Sequence, residues 1–452
     1  MSAGAAGAAA SPGAPGPGEA PRSDAGKLVV LMVTAFVDMI GVLMVIPLLP
    51  FYVTSLAGNG LTVAGYHLGV GQLTALLVSA FTVAQLVSAP LWGRFSDRYG
   101  RRPALLIALG ASAVSYVVFG FAASLWLLFL SRLVQGAGGG TTGVIQAYVA
   151  DATRPEDRAK SLGWLSAATN AGVALGPVIG SQSAQHLGPH APGLIAAVLC
   201  VVNMGFAWTY LRESRVAASA TTATGSHAAV VAPRRSSAAV WRVVSHPAEP
   251  ASRLITIYAV AIGAFQGVNS ILALFLARRF GVTEATIGYF FAYVGVLSVV
   301  TRALFLGTLV DRFGEARLSR LGIVFLAAGL GLLPLTRNLW QLALVVGCMP
   351  LGAAFTFPCV TAMLSRVVSG RERGLYMGVQ QTFGGASRAV FPMIAGLAFD
   401  RLGAGVPFVI AAVVVASTLA LGVDLESYVP RKPKPGAADA PEQNARPAPV
   451  RP

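Results

Sequence analysis

Residues 255–277 read ITIYAVAIGAFQGVNSILALFLA, a run of 23 positions without a charge. As a helix rising 1.5 Å per residue it would be about 35 Å long, enough to cross a hydrocarbon core of about 30 Å. Residues 104–123, ALLIALGASAVSYVVFGFAA, repeat the pattern. Backbone polar groups in lipid must pair internally, so only helices and closed barrels can span. Uncharged runs of this length are helical, since barrel strands show short alternating segments. The wider composition agrees: 55% of the 452 residues are hydrophobic and 11% charged, against about 25% charged in soluble domains. The fold class is therefore an all-α membrane protein. A soluble enzyme, a nucleic-acid binder and a β-barrel are excluded.

Apolar runs between charge clusters predict twelve transmembrane helices. Six lie near 28–51, 70–92, 103–123, 125–150, 159–184 and 192–211. Six more lie near 253–277, 284–306, 318–335, 339–365, 374–398 and 405–425. Residues 1–26, Ala/Gly/Pro-rich without a Leu-rich core, read as a disordered N-terminal tail rather than a signal peptide. Residues 27–211 form one six-helix bundle and 253–425 a second, with 426–452 a disordered C-terminal tail. Between the bundles, 212–252 is rich in Ala, Ser, Thr and Arg, shows no apolar face, and reads as a cytoplasmic linker. Of the 33 Lys and Arg, 26 fall on the side that carries both termini, four on the other, and three inside spans. That bias places both termini in the cytoplasm. The net charge of +15 is then an orientation signal and an attraction to anionic headgroups, with no nucleic-acid partner implied. Cys200, Cys348 and Cys359 are odd in number and lie in apolar stretches, so neither a disulfide framework nor a metal cluster is expected.

The two halves superpose at an offset of 214 to 215 residues. Gly93-Arg94-Phe95-Ser96-Asp97-Arg98-Tyr99-Gly100 falls on Gly307-Thr308-Leu309-Val310-Asp311-Arg312-Phe313-Gly314. Arg158, Gly163, Pro177 and Leu187-Gly188 fall on Arg373, Gly378, Pro392 and Leu402-Gly403. Two pseudo-symmetric six-helix bundles with a site at their interface are a transporter architecture. On this repeat, and on the motifs below, the chain resembles the major facilitator superfamily over all twelve spans.

The segment between spans two and three reads Gly93-Arg-Phe-Ser-Asp97-Arg98-Tyr-Gly100-Arg101-Arg102. It resembles the superfamily's signature loop, G-x-x-x-D-R-x-G-R-R. Asp97 can sit at a helix N-terminus and accept its orphan amide protons. Arg98, Arg101 and Arg102 can bond to carboxylates on the neighbouring bundle. Such a clasp, echoed at Asp311, would hold one conformation and break in the other.

Asp38 is the one acid deep in a span, about ten residues or 15 Å from the cytoplasmic end of span one. An ionisable group there is costly and is a functional-site hypothesis. Burial and a nearby cation act on its proton in opposite senses, and a carboxyl poised between them suits proton coupling. Asp38-Met-Ile-Gly41 with Pro47-Leu-Leu-Pro50 resembles span one of drug:proton antiporters. In span four, Arg132-Leu-Val-Gln135-Gly136 resembles the superfamily's R-x-x-Q-G element. Arg132 keeps its proton, so its expected role is to tune Asp38.

Span five contains Gly172-Val-Ala-Leu-Gly176-Pro177-Val-Ile-Gly180. Glycines spaced by four form one smooth stripe, and Pro177 bends the span. The run resembles the antiporter motif G-x-x-x-G-P-x-x-G of superfamily exporters. At the repeat positions stand Ser387, Phe391, Pro392 and Ala395. Polar residues that would face a substrate cavity are Gln85, Asn170, Gln266, Asn269, Gln381 and Arg388. Arg302, five residues from the end of span eight, is expected to snorkel to the interface.

Spans one to five, Asp151, Pro155-Glu156-Asp157-Arg158 and Ala362-Met-Leu-Ser365-Arg366 resemble tetracycline-type exporters. Those carry acids in spans three and nine where this chain has Ser115, Ala327 and Ala328, and a His and a Gln where Ser298 and Arg302 stand. Those positions concern a cationic metal–drug substrate, so the resemblance carries the mechanism and not the drug. Charges within the spans, three Arg against one Asp, favour neutral or anionic amphipaths over dications. The resulting expectation is a monomeric, multi-pass efflux antiporter of the bacterial inner membrane. It would export amphipathic small molecules by alternating access, with the proton gradient as its energy source and no cofactor. No P-loop suggests ATP drive. A nutrient symporter or facilitator of the same superfamily is the alternative, and a polytopic membrane enzyme or receptor a remote one.

Overall fold

The computed structural model describes residues 25–63, 65–139, 141–153, 157–211 and 233–423. Most of the predicted N-terminal tail, all of the predicted C-terminal tail, the first half of the predicted linker, Ala64, Gly140 and Arg154-Pro155-Glu156 lie outside them. In the N-terminal half the helices are α1 (Ala25–Val45), α2 (Leu49–Ala57), α3 (Val70–Tyr99), α4 (Arg101–Gly120), α5 (Leu125–Gly138), α6 (Thr141–Ala152), α7 (Arg158–Leu187) and α8 (Ala191–Tyr210). A helix α9 (Pro233–Ser245) precedes the second half. There follow α10 (Pro250–Phe280), α11 (Ile287–Val300), α12 (Leu306–Phe313), α13 (Glu315–Leu332), α14 (Leu339–Val367), α15 (Arg373–Arg401) and α16 (Val406–Leu421). Helix makes up most of each predicted span among the described residues. Among the described residues nine segments are long and apolar enough to cross a membrane. The other three are the fourth, which is α5 and α6 on either side of residue 140, the polar α15 with Gln380, Gln381 and Arg388 at its middle, and the 16-residue α16.

Several boundaries differ from the sequence reading, each for a local reason. Pro47 and Pro50 lack amide protons, so span one breaks at a 3₁₀ turn, Ile46–Leu48, before resuming as α2. The all-α expectation missed a small antiparallel hairpin, β1 (Gly60–Val63) with β2 (Tyr66–Gly69), at the mouth of spans one and two. The expected loop after span two is helical: α3 continues to Tyr99 and α4 starts at Arg101. Only Gly100, at φ 107°, breaks the path, a conformation that favours glycine. The predicted linker does have an apolar face. In α9, Ala239 and Val243 are buried against α10 and α15 while Trp241 stands exposed.

The internal repeat is visible in the backbone and in the ion pairs. Gly100 and Gly314 both take left-handed φ values, 107° and 79°, as do Gly188 and Gly403, 92° and 113°. Arg101 Nε meets Asp151 Oδ2 at 3.1 Å in the first half. At the same offsets, Glu315 Oε1 meets Arg366 Nη2 at 2.5 Å in the second. The pair is kept and its charges are exchanged.

Packing follows the same symmetry. Helix α1 lies on α7 and, in the second half, α10 on α15. Between the halves, α3 packs on α15 and α7 on α11. Exposed apolar side chains such as Val198, Val202, Leu344 and Val413 cover the outside. They are the lipid-facing surface that a soluble protein of this size would bury.

Candidate functional site

One end of the molecule carries the hairpin and the other the helical Gly93–Arg102 motif. At the hairpin end the halves meet closely. The Asp400 carboxylate of α15 accepts hydrogen bonds from the backbone amides of Gly71 (3.1 Å) and Gln72 (2.8 Å), the first turn of α3. Those amides have no partner within their own helix, so a carboxylate from the other half satisfies them. A Cβ on Gly71 would fall 2.8 Å from Asp400 Oδ1, and one on Gly396 would fall 2.5 Å from the Gly71 carbonyl. Farther in, Ser79 Oγ donates to the Ala389 carbonyl at 2.7 Å. On the other seam, Gly288 meets Pro177 and Ser181, and Gly295 meets Ala174. Sequence reasoning missed Asp400. It lies just past the predicted end of span eleven, and the partner amides lie some 330 residues away.

At the motif end the ion pairs among the described residues lie within each half. Asp97 lies in the last turn of α3, 59% exposed, with Arg101 Nη1 at 2.7 Å from its Oδ1. Arg101 also reaches Asp151 of α6. Arg102 stacks on Trp208, and Arg98 lies over Tyr99. Two expectations are corrected for this conformer. Asp97 meets a guanidinium rather than a helix N-terminus, and the two described carboxylates on Arg101, Asp97 and Asp151, belong to its own bundle. Gly93 has open space around it, and Asp311 occupies the corresponding turn of α12.

Asp38 sits midway along α1 and is 5% exposed, with its Oδ2 accepting from Thr141 Oγ1 of α6 at 2.8 Å. It stands at the head of a cavity of about 330 Å³ between α1, α6 and α7, lined among others by Ala35, Gln146, Leu162, Ser166 and Thr169. These wall residues lie toward the motif end. The stripe on α7 fixes this geometry. A Cβ on Gly172, Gly176 or Gly180 would fall 2.5, 2.9 or 2.3 Å from the carbonyl of Phe36, Ile40 or Met44. The motif thus seats α7 on the α1 backbone on both sides of Asp38. In the second half the glycines move to the other helix. Gly263 and Gly267 of α10 receive Ser387 and Phe391 of α15.

Arg132 does not pair with Asp38. Its guanidinium, in α5 and 2% exposed, lies 5.0 Å over the Phe119 ring and has no carboxylate within salt-bridge distance among the described residues. Tyr116 of α4 stands between them. Its hydroxyl packs on Gly41, one turn from Asp38, and accepts from Gln135 Nε2 at 2.6 Å. Sequence gave depth along a helix but not which face the guanidinium takes.

Arg132 instead lines a second cavity, about 110 Å³, at the interface of the halves. Gln85, Gln135, Gln266 and Arg388 line it too, beside Leu49, Leu77, Val78 and Phe81. Three predicted cavity residues, Gln85, Gln266 and Arg388, therefore lie together. The other three do not join them. Gln381 is exposed and Asn269 half-buried outside this lining. Asn170 Oδ1 accepts from Arg302 Nη1 across the halves at 3.1 Å. That contact overturns the snorkelling expected of Arg302, which a π turn at Thr301–Phe305 swings inward.

The sequence model of the Major Facilitator Superfamily matches residues 31–302 and again 254–452. The chain belongs to that superfamily. It is a multi-pass membrane transporter of small molecules and not an enzyme. The tetracycline resistance protein, class B, of Escherichia coli is 26% identical over 82% of this chain and 88% of its own. Multidrug resistance protein 1 of Bacillus subtilis is 27% identical over 88% and 95%. In fold, the chain is similar to the crystal structure of a human organic anion transporter, with a TM-score of 0.63 at 22% identity over 89% of this chain and all of that one.

Proposed function

We propose that this transporter exports amphipathic small molecules across the bacterial cytoplasmic membrane in exchange for protons, working as a monomer with both termini in the cytoplasm. The observation that carries the reading is Asp38. It is a buried carboxyl with a single hydrogen-bond donor, at the head of a cavity separate from the one between the halves. A carboxyl that changes its charge then has its own path and a substrate another, so the two can be exchanged without meeting in one cavity. The positive-inside bias makes the motif end cytoplasmic. The conformer is then closed outside and parted inside. Asp38 exchanges its proton through the cavity on the cytoplasmic side, and rocking of the halves carries it to the opposite exposure. The glycine stripe that seats α7 on α1 supports export. So do the relatives, whose names are those of drug-resistance proteins. A cavity without the acids of tetracycline exporters separates this chain from their drug.

The test uses everted membrane vesicles, acidified inside by respiration, with and without the protein. Substrates found on a drug-susceptibility panel should make the lumen more alkaline as they enter, because protons leave in exchange. Further acidification on substrate entry would make the chain a symporter and overturn the reading.

A further inference from the structure

Among the described residues Arg132 is the most deeply buried cation, and its Nε and Nη2 have no hydrogen-bond partner there. A buried guanidinium left unmatched is costly, so its donors call for an acceptor. The acceptor is not Asp38, which faces the other cavity. Arg132 faces the cavity between the halves, and Arg388 of α15 lines the same space from the other half. Gln266 of α10 joins from that side, and Gln85 and Gln135 from the first. None of the twelve lining residues is acidic. The space, about 110 Å³, suits a small charged head, and Val42, Ile46, Leu49, Leu77 and Phe81 supply an apolar wall beside it.

We infer that this cavity binds the anionic head of an amphipathic organic acid, a carboxylate or sulfonate, between Arg132 and Arg388. The inference deepens the reading of the interface cavity as the substrate path, and rests on it. Bidentate, charge-assisted bonds from guanidinium to carboxylate are strong where water is excluded. Arg132 and Arg388 belong to different halves, so an anion bonded to both holds the halves together. An amphipath whose head leaves with the motion carries that contact from one face to the other. A neutral analogue satisfies fewer donors, and a cation meets like charge in the same space.

The test is equilibrium binding to the purified full-length protein in nanodiscs of neutral phosphatidylcholine, without any gradient. The probes are dansylglycine, its neutral methyl ester, and the cationic dansylcadaverine, followed by dansyl fluorescence. Dansylglycine should bind about tenfold more tightly than its ester, and the cation more weakly still. Arg388→Gln should remove the preference, and Arg388→Lys should keep part of it. Arg132→Lys serves where Arg132→Gln fails to fold. Equal affinity for all three probes, or a preference untouched by Arg388→Gln, would overturn the inference. Displacement of dansylglycine from the wild type by soluble short-chain phosphatidylglycerol, but not by short-chain phosphatidylcholine, would make a lipid headgroup the occupant and overturn it equally. Binding without a gradient is independent of proton coupling, so failure here and failure of antiport are told apart.

Discussion

The hairpin end and the motif end hold their charges differently. At the hairpin end one carboxylate, Asp400, crosses from one half to the other and caps α3, amid glycines that bring the backbones together. At the motif end Asp97, Arg101 and Asp151 pair inside one half, and Glu315 with Arg366 inside the other. The hairpin end thus spends a polar group across the seam, and the described pairs of the motif end stay within each half. Groups able to do either can act as alternating clasps, since a state is favoured only by contacts it alone makes.

The comparison can be broken most severely by filling the closed seam. Gly396→Leu places a side chain against the Gly71 carbonyl and Ala75, and a seam packed this closely has no room for it. Transport should be lost while insertion and expression persist. A cysteine at Ala285, beside Gln182, should become reactive to an impermeant maleimide from the hairpin side. Normal transport by Gly396→Leu would remove the hairpin seam from the account.

Smaller, and aimed at the carboxylate itself, is Asp400→Asn. It keeps an acceptor but loses the charge facing the helix dipole, worth about 1 kcal/mol. Opening of the hairpin end should become about fivefold more frequent, read as maleimide labelling rate at the same cysteine. An unchanged rate would mean that the glycine packing alone closes this end.

Asp97→Asn should act in the opposite sense. In the present conformer it removes an exposed pair worth at most about 1 kcal/mol, so stability should hardly change. The loss falls on the conformer in which the motif end is shut, so transport should slow and hairpin-side labelling should fall. Asp311→Asn should do less, because its half carries Glu315 where the first carries Arg101. Equal labelling in wild type and Asp97→Asn would count against a clasp.

The smallest effect sharpens the charge exchange between the repeats. Glu315→Arg alone sets two guanidiniums against each other and should lower thermal stability. Adding Arg366→Glu should restore most of it, as a pair of the first half's polarity. Absence of any coupling in that double-mutant cycle would make the exchanged pair incidental.

Much of this architecture was legible in the chain because hydrophobic length and repeat offset are local or regular. Uncharged runs gave the spans, and Gly100, Gly188, Gly314 and Gly403 turned out to need the φ values that glycine allows. Asp38 stood out because an acid in the middle of a span has no bland counterpart nearby. What was hidden depends on which face a side chain takes. Arg132 shares its depth with Asp38 yet turns toward Phe119 and the interface. Arg302 reads as a snorkelling side chain until a π turn rotates it to Asn170. Asp400 lies past the predicted end of span eleven and drew no reading, although Gly69-x-Gly71 at the start of α3 was a readable hint that something approaches there closely. The buried face of α9 was missed because only Ala239 and Val243 form it.

The measurement that bears most directly on proton-coupled export is made on Asp38→Asn in proteoliposomes with an imposed pH gradient. Asparagine keeps an oxygen for Thr141 and removes the exchangeable proton. The variant should bind substrate and let it run downhill, but neither accumulate it against its gradient nor move protons when substrate is added. Gradient-driven accumulation at the wild-type level by Asp38→Asn would contradict the account.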